Sequence, residues 1–586
     1  MLKKNSIKKT FFRFWKIIVP FKFGLIISIV ALIINAVSEI FMLSLLRPLL
    51  DEGFNKFNKR ILITTAIMTI VSMSIKGISS FISNYFMYWV SGKVVMKMRL
   101  LLFRHIMHMS TKFFDENKTG ELLSRIIYDT EQIAYSSSFS LVTFVREGTL
   151  IVGLSIMMIL HSWKLSIILF FISPILLYFT KIISNSFRNI SKKIQKTMGD
   201  ITSVTEQMLK SHKEILLFGR QKIEKEKFKN INNTIRKQNM RMMFSTSIID
   251  PIIQFISSIG LSTILFLSSI PYIMENLTSG TITVIFSSMI SLMKPLKSFN
   301  NVNMQFQKGM TICQVLFSIL DKNTEKNKGI SNVKNFKGNI SFQNVTFFYE
   351  KQKFPVLQKI NFNILAGTKV ALVGSSGSGK STIVNLLVRL YEINNGKIFL
   401  DGINLTRYKL SYLRKKISIV SQNVHLFNDT IINNITYEKS NFSKKQIEKA
   451  INMANASEFI SKTKYGLNTI IGEGGNLLSN GQKKKIAIAR AFLKDAPIII
   501  FDEATAELDS KSEYYIHKSI SRLLKNRTFL TITHRINTVK KFDKILVLEK
   551  GKVIEFGNHI QLIKKQGLYA KLYNLQTGKN SKKNLL

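Results

Sequence analysis

Gly-Ser-Ser-Gly-Ser-Gly-Lys-Ser-Thr, residues 374–382, follows the apolar run Val370–Val373 and opens an apolar-periodic stretch from Ser381 to Leu390. It fits the phosphate-loop pattern G-x-x-x-x-G-K-[S/T], in which glycines let backbone N–H groups approach phosphates and the lysine neutralises the β/γ oxygens. The expected nucleotide contacts are therefore Gly374, Ser375, Ser376, Gly377, Ser378, Gly379, Lys380, Ser381 and Thr382. Further along come Leu-Ser-Asn-Gly-Gln (478–482) and Ile-Ile-Ile-Phe-Asp-Glu (498–503). The second reads as a buried strand ending in two acids, Asp502 placed to hold Mg²⁺ and Glu503 to orient or deprotonate an attacking water.

Three weaker signals fall into the same frame. Gln422 follows the strand Ile417–Val420, within reach of the Mg²⁺ or the water, and His534 follows Thr531-Ile532-Thr533, within reach of a γ-phosphate. Tyr349 precedes the sheet and either stacks on adenine or is an ordinary strand tyrosine. From about residue 339 strands alternate with helices, which predicts an α/β core with a largely parallel sheet.

The 586 residues are too many for one domain. Long apolar runs fill the first three hundred residues, 321–338 is polar and reads as a linker, 339–580 as the nucleotide-binding domain and 581–586 as a tail. A single cysteine, Cys313, excludes an intrachain disulfide framework, and the eight histidines form no metal constellation. The formal charge of +49 raises nucleic acid as a partner. The lysines, however, are spread over loops beside Asn and Ile rather than gathered in a patch, so no nucleic acid is expected. Basic loops of this kind gain modest attraction from an anionic phospholipid leaflet.

A spanning helix needs about 20 apolar residues. Six candidates lie near 18–46, 61–90, 137–160, 165–187, 250–273 and 279–300, giving an all-α transmembrane domain over 1–320. The basic N-terminus resembles a signal-peptide start, but the run behind it is too long and further spans follow, so an uncleaved first helix is expected. The connecting segments 91–136 and 188–249 are rich in Lys and Arg, whereas 161–164 and 274–278 are nearly free of them. The positive-inside rule then puts the N-terminus, the long loops and the C-terminal domain in the cytoplasm. Trp15, Trp89 and Trp163 fall near span ends, as interfacial anchors do.

Three cations stand inside these spans: Lys76, Arg146 beside Glu147, and Lys297 near Lys294 and Pro295. Each costs about 2.5–3.5 kcal/mol at the bilayer centre, so it should face a polar cavity or a partner. Either Arg146 pairs with Glu147 and Lys297 reaches an interface, or the three form a basic belt contacting an anionic substrate group. In the first long loop, Phe113 to Arg125 is either a tight turn at Gly120 leading into an amphipathic helix or a plain helical extension.

Tyr349, the 374–382 loop, Gln422, 478–482, Asp502-Glu503, Asp509 and His534 together resemble an ATP-binding-cassette (ABC) ATPase. Six spans ahead of one cassette resemble a half-size type I ABC exporter. Phe41–Leu50, Trp89–Met96, Ile282–Phe299, Ser421–Thr430 and Lys525-Asn526-Arg527-Thr528 are similar, essentially end to end, to the lipid A flippases of Gram-negative bacteria. The resemblance implies a homodimer in the bacterial inner membrane, with ATP and Mg²⁺ as cofactors. It implies that Ser479, Gly481 and Gln482 approach the partner's ATP, with Ser381, Gln422 and Asp502 on the metal. Lys76, Arg146 and Lys297 would meet the phosphate-bearing headgroup, and helices at 113–124 and 209–220 would transmit motion. A multidrug exporter of the same architecture is the alternative, and the basic set argues against its apolar cations. The family has Gly where this chain has Asn480; asparagine tolerates unusual backbone angles better than most residues, so function is expected to be retained at some cost in rate. The family has Ser-Ala where this chain has Ala506-Glu507, a lost hydroxyl and an added charge that bear on coupling between the two sites.

Overall fold

The computed structural model describes residues 4–117, 119–167, 190, 193–194, 197–270, 277–325, 327–330, 333, 335–350, 352, 354–437, 442–504, 510–523, 527–533 and 535–577. Two compact units result, Met1–Met109 with Phe113–Thr324, and Ser110–Lys112 with Glu325–Leu586.

The first unit is helical: α1 (Lys4–Ile18), α2 (Lys22–Ser44), α3 (Lys59–Ile106), α4 (Thr111–Glu116), α5 (Thr119–Ser124), α6 (Thr130–His161), α7 (Gln221–Ser247), α8 (Ile249–Ser268) and α9 (Ser279–Leu320). Among the described residues four stretches are long and apolar enough to cross a membrane: Lys9–Phe54, Lys59–Ile106, Thr119–His161 and Pro251–Ser268. The predicted fourth span, 165–187, lies outside the described residues but for its first three. The sixth lies on α9, a 42-residue helix with Pro295 inside it.

α2 packs along α3 and α6, and α6 along α9. Small residues make the first contact close. Gly24, Ser28, Ala31, Asn35 and Ser38 are buried on α2, and Thr65, Ser72, Ser79 and Ser83 on α3, at spacings that keep one face on one neighbour. Ser28 Oγ donates to the Ser83 carbonyl at 3.0 Å, Ser72 Oγ to the Ser38 carbonyl at 2.9 Å and Asn35 Nδ2 to the Lys76 carbonyl at 2.9 Å. Each of these three donors thereby finds a carbonyl without water, as an apolar surround demands. Gly120 is not at a turn. It lies within α5, and a Cβ there would stand 2.8 Å from Glu206 Oε2, so close approach rather than backbone freedom accounts for the glycine.

The second unit holds a four-stranded antiparallel sheet, in the order β2 (Leu357–Ile364), β1 (Ile340–Phe347), β4 (Asn395–Leu400), β5 (Ile403–Asn404). Beside it runs a six-stranded sheet, in the order β10 (Lys552–Gly557), β9 (Lys544–Glu549), β3 (Lys369–Gly374), β8 (Thr528–Ile532), β7 (Ile498–Asp502), β6 (Ile417–Val420). All but β10 are parallel. Central parallel strands are buried on both faces, which is why 370–373 and 498–501 read as unbroken apolar runs. The loop at the end of β3 runs into α10 (Lys380–Leu387), which stops short of the predicted Leu390. Arg389 ends it: buried, at φ 50°, it spends its guanidinium on the Leu405 and Tyr408 carbonyls and Glu392.

The polar segment predicted as a linker is fastened. Arg414 forks onto Glu325 at 2.7 and 2.9 Å, and Asp401 accepts from the backbone amides of Lys337, Gly338 and Asn339.

Candidate nucleotide site and membrane cation cluster

Parallel strands in register bring their C-terminal ends to one edge. Gly374 pairs with Leu548, Val420 with Phe501 and Asp502 with Ile532, so the residues following β3, β6, β7 and β8 are carried to the same crest. That edge is where open α/β sheets bind ligands.

The phosphate loop is built by its glycines. Gly377 has φ 76° and Gly379 φ 101°, and a Cβ on Gly379 would lie 2.6 Å from Leu357 Cδ2. Lys380 is buried and donates to the carbonyls of Gly374 at 3.0 Å and Ser375 at 2.8 Å, lacing the loop round its ammonium. Burial draws its pKa below the usual lysine value, opposed by the charges of Glu503 and Asp502. Ser378 Oγ is buried with no hydrogen-bond partner among the described residues. A loop with bared amides, a confined cation and an orphaned buried hydroxyl fits a nucleotide's phosphates.

Ser381 Oγ lies 3.5 Å from Asp502 Oδ1. One hydroxyl and one carboxylate at the mouth of a phosphate loop are the hard oxygen donors that suit Mg²⁺, which takes few protein ligands and completes its shell with phosphates and water. Glu503 leaves β7 at φ 50°, its N–H on the Ile532 carbonyl at 3.0 Å. Its Oε2 accepts from Gln422 Nε2 at 2.9 Å, so the two residues expected at the attacking water touch. Tyr349 packs edge-on against Phe347 and Tyr391, and its hydroxyl meets Thr382 Oγ1 at 3.3 Å. His534 and Asp509 lie outside the described residues.

The 478–482 element opens α11 (Asn480–Lys494). Ser479 caps it, with Gln482 N to Ser479 Oγ at 3.3 Å and Ser479 N to Gln482 Oε1 at 2.9 Å, a reciprocal capping box. Asn480 is the first helical residue, exposed and at ordinary helical angles, so its tolerance of unusual backbone angles is not called on.

In the membrane-spanning unit Lys76 Nζ lies 3.2 Å from Glu39 Oε2, and Arg146 Nη2 lies 3.6 Å from the same oxygen. One of the two sequence readings pairs Arg146 with its neighbour Glu147; the structure puts it on Glu39 instead, because adjacent helical residues point about 100° apart. Glu147 is buried. Lys297 lies on α9, exposed, beyond Pro295. Two of the three predicted cations are thus brought together.

The profile for the ABC transporter transmembrane region matches residues 25–296, and that for the ABC transporter ATPase matches 357–506. The ATP-dependent lipid A-core flippase of Wigglesworthia glossinidia brevipalpis is 57 % identical over 98 % of this chain and 100 % of its own. That of Blochmanniella pennsylvanica is 56 % identical over 98 % of both. The chain belongs to the ATP-dependent lipid A-core flippase family of ABC transporters. The fold agrees: a bacterial Atm1-family ABC exporter solved with ATP bound superposes with a TM-score of 0.82 at 23 % identity, over 98 % of this chain and 99 % of that one.

Several residues that matter to this exporter's site escape the sequence patterns. Glu39 is an acid inside an apolar span, one turn from Asn35, which is itself a signal. Arg490, on α11, donates to the carbonyls of His425, at 3.0 Å, and Asn434, to Asn434 Oδ1 at 2.8 Å, and lies over the Tyr437 ring at 4.7 Å. It joins the signature helix to the loop that carries Gln422. Lys484, buried on the same helix, directs Nζ at the Glu503 carbonyl, 3.4 Å away. No local motif announces contacts of this range.

Proposed function

We propose that the chain, as a homodimer in the bacterial inner membrane, uses ATP to flip lipid A-core from the inner to the outer leaflet. The observation that carries this reading is the convergence of Lys76 and Arg146, from two helices, on one point of the membrane-spanning unit. An anionic headgroup suits such a pair, and apolar cations do not. The full-length likeness to flippases supports the same substrate.

Phosphate-loop amides and Lys380 hold the β- and γ-phosphates, with Ser479, Gly481 and Gln482 of α11 completing the site against the nucleotide on the partner subunit. Glu503, bonded to Gln422, receives the proton of the attacking water, and the water oxygen bonds to the γ-phosphorus as ADP leaves. His534 contacts the γ-phosphate. Ser381, Gln422 and Asp502 would hold Mg²⁺, which would supply neutralisation of the charge that gathers between the phosphates. ATP binding closes the paired cassettes and hydrolysis releases them, so the nucleotide biases a two-state membrane domain.

The test is ATPase activity in nanodiscs with and without lipid A, with Glu503→Gln as the blank. The variant keeps an oxygen for Gln422 and loses the base, so activity should fall about 10²- to 10⁴-fold with ATP still bound. Lipid A stimulation that weakens in Lys76→Ala and Arg146→Ala supports the reading. Activity indifferent to lipid A and raised by amphipathic cations replaces it with multidrug export.

A further inference from the structure

The two cations that the proposed function assigns to the headgroup are already engaged. Glu39 Oε2 lies 3.2 Å from Lys76 Nζ and 3.6 Å from Arg146 Nη2, and all three side chains are between one-quarter and one-third exposed. The arrangement is built rather than incidental. Asn35, one turn before Glu39 on α2, donates to the Lys76 carbonyl at 2.9 Å, which fixes the height of α3 against α2 and brings the ammonium level with the carboxylate. Arg146 arrives from α6, so three helices meet at one oxygen. Behind them Glu147 is 4 % exposed, with Arg146, Lys294 and Glu39 within electrostatic reach.

An anion arriving at this place must compete with a carboxylate that is covalently part of the chain. A headgroup bearing one phosphate offers Lys76 and Arg146 a single charge in exchange for the one they give up. A headgroup bearing two offers each cation its own partner and leaves Glu39 free to turn toward water. Specificity of this kind comes from an element that penalises the wrong ligand. A competing ligand with one phosphate is phosphatidylglycerol, an anionic phospholipid.

We propose that Glu39 is a specificity-determining residue, a built-in counter-ion that Lys76 and Arg146 release only to a multiply phosphorylated lipid. This rests on the reading of those two cations as headgroup contacts. Glu39 is a positioning residue: it acts through Lys76 and Arg146 and does not hold the lipid.

The experiment measures ATPase stimulation of the full chain in nanodiscs of zwitterionic lipid, titrated with lipid A or with phosphatidylglycerol. The half-maximal concentration of phosphatidylglycerol divided by that of lipid A is the readout. Glu39→Gln, isosteric and uncharged, should lower that ratio at least tenfold, chiefly because phosphatidylglycerol begins to stimulate. Glu39→Asp, which keeps the charge, should stay within about threefold of the unmodified chain. Should Glu39→Gln fail to fold, Glu39→Ala in an Asn35-intact background and direct phosphatidylglycerol binding by native mass spectrometry give the same ratio. A ratio within twofold of the unmodified chain overturns the proposal. Lys76→Ala and Arg146→Ala run alongside: if neither changes lipid A stimulation, the headgroup reading itself has failed. If both do and Glu39→Gln leaves selectivity alone, only the counter-ion has.

Discussion

Alanine placed at each of three glycines of one loop should do graded damage, because the three positions differ in what a methyl group would meet. Gly377 has φ 76° with nothing within 4 Å of an added Cβ, so Gly377→Ala carries backbone strain alone. A single residue in that conformation costs about 1–2 kcal/mol. Gly379 has φ 101°, and its Cβ would press within 2.6 Å of Leu357, a fully buried side chain. Overpacking of that kind adds about 1–3 kcal/mol, giving about 2–5 kcal/mol in all. Gly374 is worse placed, since its Cβ would stand 2.2 Å from the Leu548 carbonyl oxygen, its strand partner on β9. Backbone cannot retreat there without opening the sheet, so the cost should exceed about 3 kcal/mol. For a domain of this size about 1 kcal/mol moves the unfolding midpoint by about 2–4 °C. Differential scanning fluorimetry should therefore rank the midpoints Gly377→Ala above Gly379→Ala above Gly374→Ala, with retention of a fluorescent ATP analogue in the same order. A Gly377→Ala protein as damaged as Gly374→Ala would show that strain, not space, sets these glycines, and would refute the argument.

Two further predictions concern the second unit. Arg414→Lys removes the two-pronged bond to Glu325, at 2.7 and 2.9 Å, and a lysine cannot restore it. With both side chains partly in water the loss should be about 0.5–1 kcal/mol, read as about 2- to 5-fold faster hydrogen exchange at Ile330 N, bonded to Arg407, and Lys409 N, bonded to Ile330; unchanged exchange would mean the fork holds nothing. His559, against the Tyr569 hydroxyl at 2.8 Å, is depressed below the usual imidazole pKa by burial and by Lys540. The unfolded chain then binds more protons than the folded one near pH 6, so this stability is present above about pH 6.5 and is lost as pH falls through the folded pKa. His559→Gln should flatten the pH 5–7 slope of the unfolding midpoint, and an unaltered slope would place the titration elsewhere.

The cassette was legible because its chemistry is local. Residues 374–382 must be contiguous to wrap a phosphate, and buried parallel strands announce themselves as apolar runs. The same holds for Ile417–Val420 and Ile498–Asp502, which form strands over the residues expected. What stayed hidden was carried by contacts distant in the chain. Arg490 reaches back to His425, and Glu39 meets Lys76 and Arg146, because helices and strands converge, and no periodicity in any one segment records the meeting. Gly120 shows the converse error. A glycine amid polar residues suggests a turn, yet here it lies inside a helix and clears room for Glu206.

Asn480 sharpens the point about which sequence departures carry physical weight. If position 480 required a left-handed backbone, an asparagine there would store strain at the place where the signature meets a nucleotide. It does not: the residue is the first of α11, in a conformation any residue adopts. The geometry of the motif is set on either side, by Ser479 capping the Gln482 amide and by Gln482 returning the bond to Ser479. Both groups are retained in this chain. The side chain at 480 therefore adds bulk to an exposed helix start without moving the helix, and the cost of the substitution falls on what docks there rather than on the fold. The capping box thus leaves the difference at an exposed surface, where the asparagine adds a side chain and no backbone strain.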